Sequence, residues 1–348
     1  MKRLKPVVVI IAILSFVILC IPTVLVIPFT DQTGGKLGED SQQHTQKTLQ
    51  ALAAEPAVEV AVYRAKKQEV EEVPLEDYVV GVVASEMKAD FEMEALKAQS
   101  LAARTYIVRK LVNGSELKMK KGSQEFDARD TTADQVYASP EELKIRWGSD
   151  YDQNMKKITE AVEATRGKVI VYNNAPIDAV FYSTSNGRTE DAKVVWGSSL
   201  PYLQSIDNPW DKDSPKFTAQ TSMTVSDFEQ KIYAATNKKV SINDDLGKVL
   251  SRTPGGRVNE LKIDGKTFKG TDIRSALGLK STDFTWVRKG NELLITTKGN
   301  GHGIGMSQYG ADGMAKAGKS YTDIIHFYYK NVQIAEASKY LSTLTAKK

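Results

Sequence analysis

Cysteine is nearly missing from this chain of 348 residues, with Cys20 alone near the N-terminus. The rest of the chain therefore has no disulfide and no thiolate ligands. Histidine is also scarce, with three in all. One of them, His44, lies in a polar stretch, and no H-E-x-x-H is present, so a zinc enzyme has few nitrogen ligands to draw on. No G-x-S-x-G elbow supports a serine hydrolase, although Ser183 or Ser185, His302 and Asp207 all fall in loops. No phosphate loop ending in Gly-Lys-Ser/Thr supports nucleotide chemistry. The net charge of +4 is small and both signs are mixed along the chain, which argues against a nucleic-acid partner. No internal repeat is evident.

What the chain does have begins with Lys2, Arg3 and Lys5, followed by the apolar run "VVVIIAILSFVILCIPTVLVIPF" from Val7 to Phe29. It exceeds the core of a signal peptide, and no small-residue cleavage site closes it. It is long enough to span a bilayer. The basic flank places residues 1–6 in the cytoplasm and everything after Asp31 outside. An uncleaved anchor over 7–29 is the expectation, with Cys20 as apolar filler because no lipobox precedes it. Residues 30–56 are polar and rich in Gly, Gln and Thr, and read as a flexible stalk.

Residues 57–335 read as one external domain, with a possible sub-lobe at 222–280 and a tail at 336–348. "VEVAVYRA" alternates like a strand. "PLEDYVVGVVASEM", residues 74–87, reads as a helix with Pro74 at its first position. On a wheel Leu75, Tyr78, Val79, Val82 and Val83 share a face, while Glu76 and Asp77 point to water. Glu86 falls about 20° from Leu75, near the middle of that apolar face. A carboxyl there tends to hold its proton, as a general acid must, unless the helix frays or an arginine pairs with it.

A second helix runs from about Glu92 to Leu111, with Ala95, Ala98 and Ala102 on a small-residue stripe. Lys97 and Arg104 stack on another stripe. They either pair with acids or form a basic strip near Glu86. "EFDARDTTADQVYAS" carries Asp127, Asp130 and Asp134 without the spacing of a calcium loop. A helix at about 151–166 and a hairpin turning at "NNAP" follow. The polar loop "STSNGRTED" then leaves a strand end, where function often sits. "GNGHGIGMSQYG", residues 299–310, alternates glycine so that backbone can approach a ligand. It leads into a helix whose free N–H groups could hold an oxyanion or a sugar hydroxyl. A tight turn with His302 as a structural residue reads equally well.

Taken in order, "GVVASEM", "EALKAQSLAARTY", "DTTADQVY", "FYSTSNGRTED", "PYLQSIDNPWD" and "GHGIGMSQYGADGMAKAG" resemble the stage II sporulation protein D family. The resemblance covers nearly the whole chain. It implies a lytic transglycosylase that cuts peptidoglycan glycan strands already stripped of stem peptides, during engulfment in endospore-forming bacteria. It further implies a place in the mother-cell septal and engulfing membrane and action with stage II sporulation proteins P and M. The family's catalytic glutamate corresponds to Glu86. Candidates for holding the sugar are Arg104, Tyr106, Tyr182, Ser183, Ser185, Asp207, His302, Gln308 and Tyr309. Some relatives bind zinc through cysteine and histidine near "DTT". Here Arg129, Asp130, Thr131, Thr132, Ala133 and Asp134 stand there, so no metal or other cofactor is expected. Distant relatives resemble amidase enhancers, which leaves a non-catalytic glycan-binding activator as the competing class. The expected fold is α+β, with helices and antiparallel strands forming a groove between lobes.

Overall fold

A computed structural model describes residues 58–345, apart from 115–118, 123 and 243–245. The expected anchor at 7–29 and stalk at 30–56 lie outside the described residues. Among the described residues no helix is long and apolar enough to cross a membrane.

Strand β1 (Glu59–Arg64) pairs antiparallel with β2 (Glu69–Pro74) and parallel with the short strand Ala128–Arg129. Both faces of β1 are covered, not one as its alternation implies. Val60 and Val62 join the main core, while Ala61 and Tyr63 pack with Phe126 in a small cluster. The sequence "EVEEVP" is half glutamate and carries no strand pattern of its own. It forms β2 because β1 supplies its hydrogen bonds, and only Val73 of β2 is buried.

Helix α1 (Leu75–Glu86) starts directly from β2. Pro74 is its N-cap, in extended conformation, and not its first helical residue. The expected apolar face is buried as a whole: Leu75, Tyr78, Val79, Val82 and Val83. Gly81 lets Tyr137 lie against this helix, because an added Cβ would come 2.4 Å from the ring.

Helix α2 (Met93–Asn113) packs on α1, and its Ala95, Ala98 and Ala102 are all without exposure. Small side chains permit that close approach, and α2 becomes the strut to which most other helices attach. Its Arg104 is fully buried. The guanidinium donates to both oxygens of Glu76 at 2.8 and 2.6 Å, to the Thr165 carbonyl at 2.8 Å and to the Val162 carbonyl at 3.2 Å. Glu76 therefore faces a partner and not water. Lys97 is held by Glu94 at 2.6 Å. No basic strip forms beside Glu86, and Arg104 is a structural tie, not a sugar ligand.

Helix α3 (Pro140–Trp147) opens with a capping box from Ser139 and Glu142. Helix α4 (Tyr151–Glu163) then lies against α1 and α2. The expected hairpin begins with Lys168–Tyr172 and turns at Asn173 and Asn174, whose φ values of 49° and 59° suit a type I′ turn. Its return strand is only Ala175–Pro176. The chain then diverges, and Phe181–Tyr182 pairs parallel with Met306–Ser307. A short helix, α5 (Ala192–Trp196), follows the polar loop.

A second core draws on residues from Val225 to Ile295 and shares none with the first. Two three-stranded antiparallel sheets enclose it with α6 (Val225–Thr236) and α7 (Gly270–Leu277). The glycine-rich loop leads back to the first core through α8 (Gln308–Lys316) and α9 (Tyr321–Tyr328). Within the expected tail, the described residues are not a simple extension: α10 (Ser338–Thr345) buries Tyr340 and Leu341 in the first core.

Removing one member of a buried ion pair leaves the other charge unpaired, at about 3–5 kcal/mol. Arg104→Ala should lower unfolding stability by that order in chemical denaturation.

Candidate active site

Glu86 ends α1, where the helix dipole is negative and disfavours a charged carboxylate. Its side chain is half-buried. Oε1 accepts from the Val136 backbone N–H at 2.9 Å, and Oε2 accepts from the Gln308 amide at 3.3 Å. Burial pushes its pKa up, and the two hydrogen bonds and the Lys216 ammonium pull it partly back, leaving it raised. The result is a carboxyl fixed in orientation that holds a proton more readily than an ordinary glutamate.

Gln308 is positioned by the N-terminus of α8. Ser307 caps that helix, accepting from the Gly310 N–H at 3.3 Å and donating to Asp211 Oδ1 at 2.5 Å. Asp211 has no exposure. It also accepts from Ser185 Oγ at 2.8 Å and from Asn208 Nδ2 at 2.7 Å. Tyr328 completes the network by donating to Asn208 Oδ1 at 3.2 Å. Burial lifts the Asp211 carboxyl to about 6, against the opposing pull of these donors. Gly310 has no room for a side chain here, since a Cβ would lie 2.1 Å from the Tyr328 hydroxyl.

Of the residues singled out in the sequence, the structure brings Gln308 and Tyr309 to Glu86's side of the molecule. Tyr309 packs edge-on against Phe91 with centroids 4.9 Å apart, and its ring lies under the Lys216 ammonium at 5.6 Å. Its hydroxyl is buried without a protein partner. Ser183 contributes mainly its carbonyl, which accepts from the Tyr309 N–H at 3.1 Å and fastens the strand end to α8.

The other candidates do different work. Ser185 is buried and committed to Asp211. Tyr182 is buried beneath Gly301. Tyr106 donates to Asp134 at 3.1 Å, and burial together with that carboxylate raises its pKa. Asp207 is 80% exposed and paired with Arg188 at 3.0 Å. His302 has both ring nitrogens occupied: Nδ1 accepts from the Ile304 N–H at 3.0 Å, and Nε2 donates to the Phe181 carbonyl at 3.0 Å. Burial and the nearby Arg274 guanidinium push its pKa down to about 4. It stays neutral at physiological pH and forms no triad with Asp207 and a serine.

Lys216, Asn208, Asp211 and the Val136 N–H were not legible as site groups. The Val136 donor has no side-chain signature, and Asp211 gave no sign of differing from Asp207. Around the "DTT" stretch, Asp130 accepts from Arg64 at 3.1 Å, and Asp134 is held by Lys110 and by Arg129 at 2.7 Å. Asp127 accepts from the Ala61 N–H at 2.9 Å. Among the described residues no group of three His, Cys, Asp or Glu is arranged to hold a metal.

Comparison with known proteins bears on this site. The family model described as stage II sporulation protein (SpoIID) matches residues 63–172, which contain Glu86 and Val136. The chain is 49% identical over 351 residues to a Bacillus amyloliquefaciens protein named stage II sporulation protein D, covering 99% of this chain and all of that one. It is 48% identical over 343 residues to the Bacillus subtilis protein of the same name, covering 97% and 98%. It is 32% identical over 302 residues to a Bacillus subtilis protein named amidase enhancer, covering 72% of this chain and 39% of that one.

The buried Asp211 has a measurable signature. Its folded pKa of about 6 lies above the ordinary 3.8. Between those values the folded chain keeps a proton that the unfolded chain has released. Stability should therefore fall as pH rises from about 4 to 6, by up to about 3 kcal/mol from this group. Glu86 acts in the same direction. Urea unfolding across that range should show the slope, and Asp211→Asn should flatten it.

Proposed function

The chain belongs to the stage II sporulation protein D family, and from that premise we propose that it is a lytic transglycosylase acting on the glycan strands of peptidoglycan. The observation that carries the reading is Glu86: one half-buried carboxyl of raised pKa, oriented by the Val136 N–H and the Gln308 amide. In this reaction the glutamic acid protonates the leaving glycosidic oxygen. The carboxylate so formed takes the proton from the C6 hydroxyl of the same muramic acid, whose oxygen closes a 1,6-anhydro ring. One group serves as acid and then as base, so its proton affinity must sit near the working pH.

An ordinary glycosidase needs a second carboxylate to attack the sugar or activate water. Asp211 is a poor candidate, because it has no exposure and its oxygens are taken by Ser307, Ser185 and Asn208. Asp207 is exposed and paired to Arg188. Neither is among the groups that contact Glu86, which supports the single-carboxyl route. The setting we propose is a chain anchored through residues 7–29, acting in the mother-cell membrane on stripped glycan with stage II sporulation proteins P and M. The likeness to the amidase enhancer supports one other reading, a glycan-binding activator that does not cut.

Glu86→Gln keeps the shape of the side chain but cannot cycle a proton. It should fold as wild type and lose at least about 10²–10⁴ in the rate of cutting stripped glycan. Equal cutting by the variant would remove Glu86 from the mechanism, whereas binding without cutting in the wild type would favour the activator. Mass spectrometry of the digest then separates the mechanisms. The single-carboxyl route gives 1,6-anhydro ends, one water lighter than the reducing ends of a hydrolase.

A further inference from the structure

On another side of the glycine-rich loop lies a cavity of about 210 Å³ between the two cores. One wall comes from the second core and carries Arg257, Lys269 and Arg274; the other carries Val194 and Val195 of α5, with His302 at the loop. Arg274 is half-buried, and its Nε donates to the Leu279 carbonyl at 3.3 Å. Among the described residues no carboxylate pairs with it. Arg257 is 3% exposed and rests its Nη atoms on the Arg188 carbonyl, at 3.3 Å each, while its Nε is buried without a partner.

The one acid in the wall, Glu190, is fully buried and already engaged. It accepts from Thr253 Oγ1 at 2.5 Å, the Gly255 N–H at 3.2 Å and the Asp191 N–H at 3.1 Å, with Arg257 at 3.7 Å. His302 is neutral by the hydrogen bonds described above. Three cations therefore face this cavity against one carboxylate, and an uncompensated charge near low-dielectric walls favours an anion. Burial and the neighbouring Arg257 guanidinium both lower the Arg274 pKa, the mark of crowded positive charge. Trp196 stands at the rim, 42% exposed and 6.4 Å from the His302 ring, offering an apolar face on which a sugar can stack.

We infer that this cavity is a second glycan subsite that takes a carboxylate, with Arg274 as its reader and the Val194, Val195 and Trp196 wall receiving the apolar part of the same unit. The inference rests on the glycan-cleaving reading above and adds a basis for substrate choice. His302 and Gln308 are six residues apart, so at most about 20 Å of backbone separates this subsite from Glu86's partner. The inference includes one glycan strand that engages both. In such a strand the carboxylate is either the lactyl group of a muramic acid without its peptide, or the end of a remaining stem peptide.

Binding to the full-length Glu86→Gln chain, which holds glycan without turning it over, tests this. Three ligands are compared by calorimetry: a muramic-acid tetrasaccharide with free lactyl carboxylates, the same glycan bearing peptides, and neutral chitotetraose. The carboxylate glycan should bind about tenfold or more tightly than chitotetraose. Adding Arg274→Gln should erase that difference and leave chitotetraose binding unchanged, and Arg274→Lys should restore part of it. If the peptide-bearing glycan shows the same dependence on Arg274, a peptide carboxylate is read as well; if it binds like chitotetraose, the lactyl group alone is. An Arg274→Gln chain that keeps the full preference overturns the inference. So does a chain that shows no preference to begin with. Should the wild type prove unable to cut glycan, this binding difference would still be measured, so the two readings fail separately.

Discussion

The hydrogen bond from Gln308 to Glu86 joins residues 222 positions apart, and much of the architecture serves to make it. Glu86 comes from the first helix of the described chain and Gln308 from one of the last. Between them the polypeptide builds a second core and returns. A carboxyl on α1 alone would be a costly polar group at the end of an apolar face. Set against α8 and the Val136 N–H, it keeps a high proton affinity without losing its orientation. Desolvation raises that affinity and the donors moderate it, and a group that must both give and take a proton needs the balance.

Holding α8 and α1 in place falls to two buried polar systems. Asp211 collects hydroxyl and amide donors beneath the Ser307 cap, so the start of α8 is tied to the loop before the second core. Arg104 fastens α1, α2 and α4 together at the far end of α1. Each would be unfavourable if half-satisfied, and each specifies one arrangement because its donors and acceptors match. Their positions keep the polar demands of the interior away from the Glu86 carboxyl.

The sequence revealed faces better than it revealed directions. The wheel gathered Leu75, Tyr78, Val79, Val82 and Val83 with Glu86, and the structure buries those five together. It likewise placed Lys97 and Arg104 on one stripe, yet it could not tell which neighbour that stripe would meet. Arg104 met Glu76 and the carbonyls closing α4. Loop residues were harder still. Asp207 and Asp211 stand four apart in one polar segment, and a single turn of 3₁₀ helix over Pro209–Asp211 leaves one in solvent and sends the other inward. His302 was visible as an unusual residue in an unusual loop, but its role depends on the Phe181 carbonyl, which no side-chain pattern announces. Strand β2 was missed because four of its six residues are Glu or Pro, and its pairing comes from β1.

Gly303 illustrates how tightly the loop and the second core are coupled. Its φ is 90°, and a Cβ added there would stand 2.4 Å from the Arg257 guanidinium carbon. The arginine occupies the space that any other residue at 303 would need. The two positions are therefore coupled: a larger residue at 303 is strained by its backbone and must also displace the Arg257 guanidinium, while losing Arg257 strips the cavity of a cation and leaves a gap. Neither order of single steps crosses that valley easily, so drift or engineering toward other ligands has freer routes through α5 and the outer face of α7.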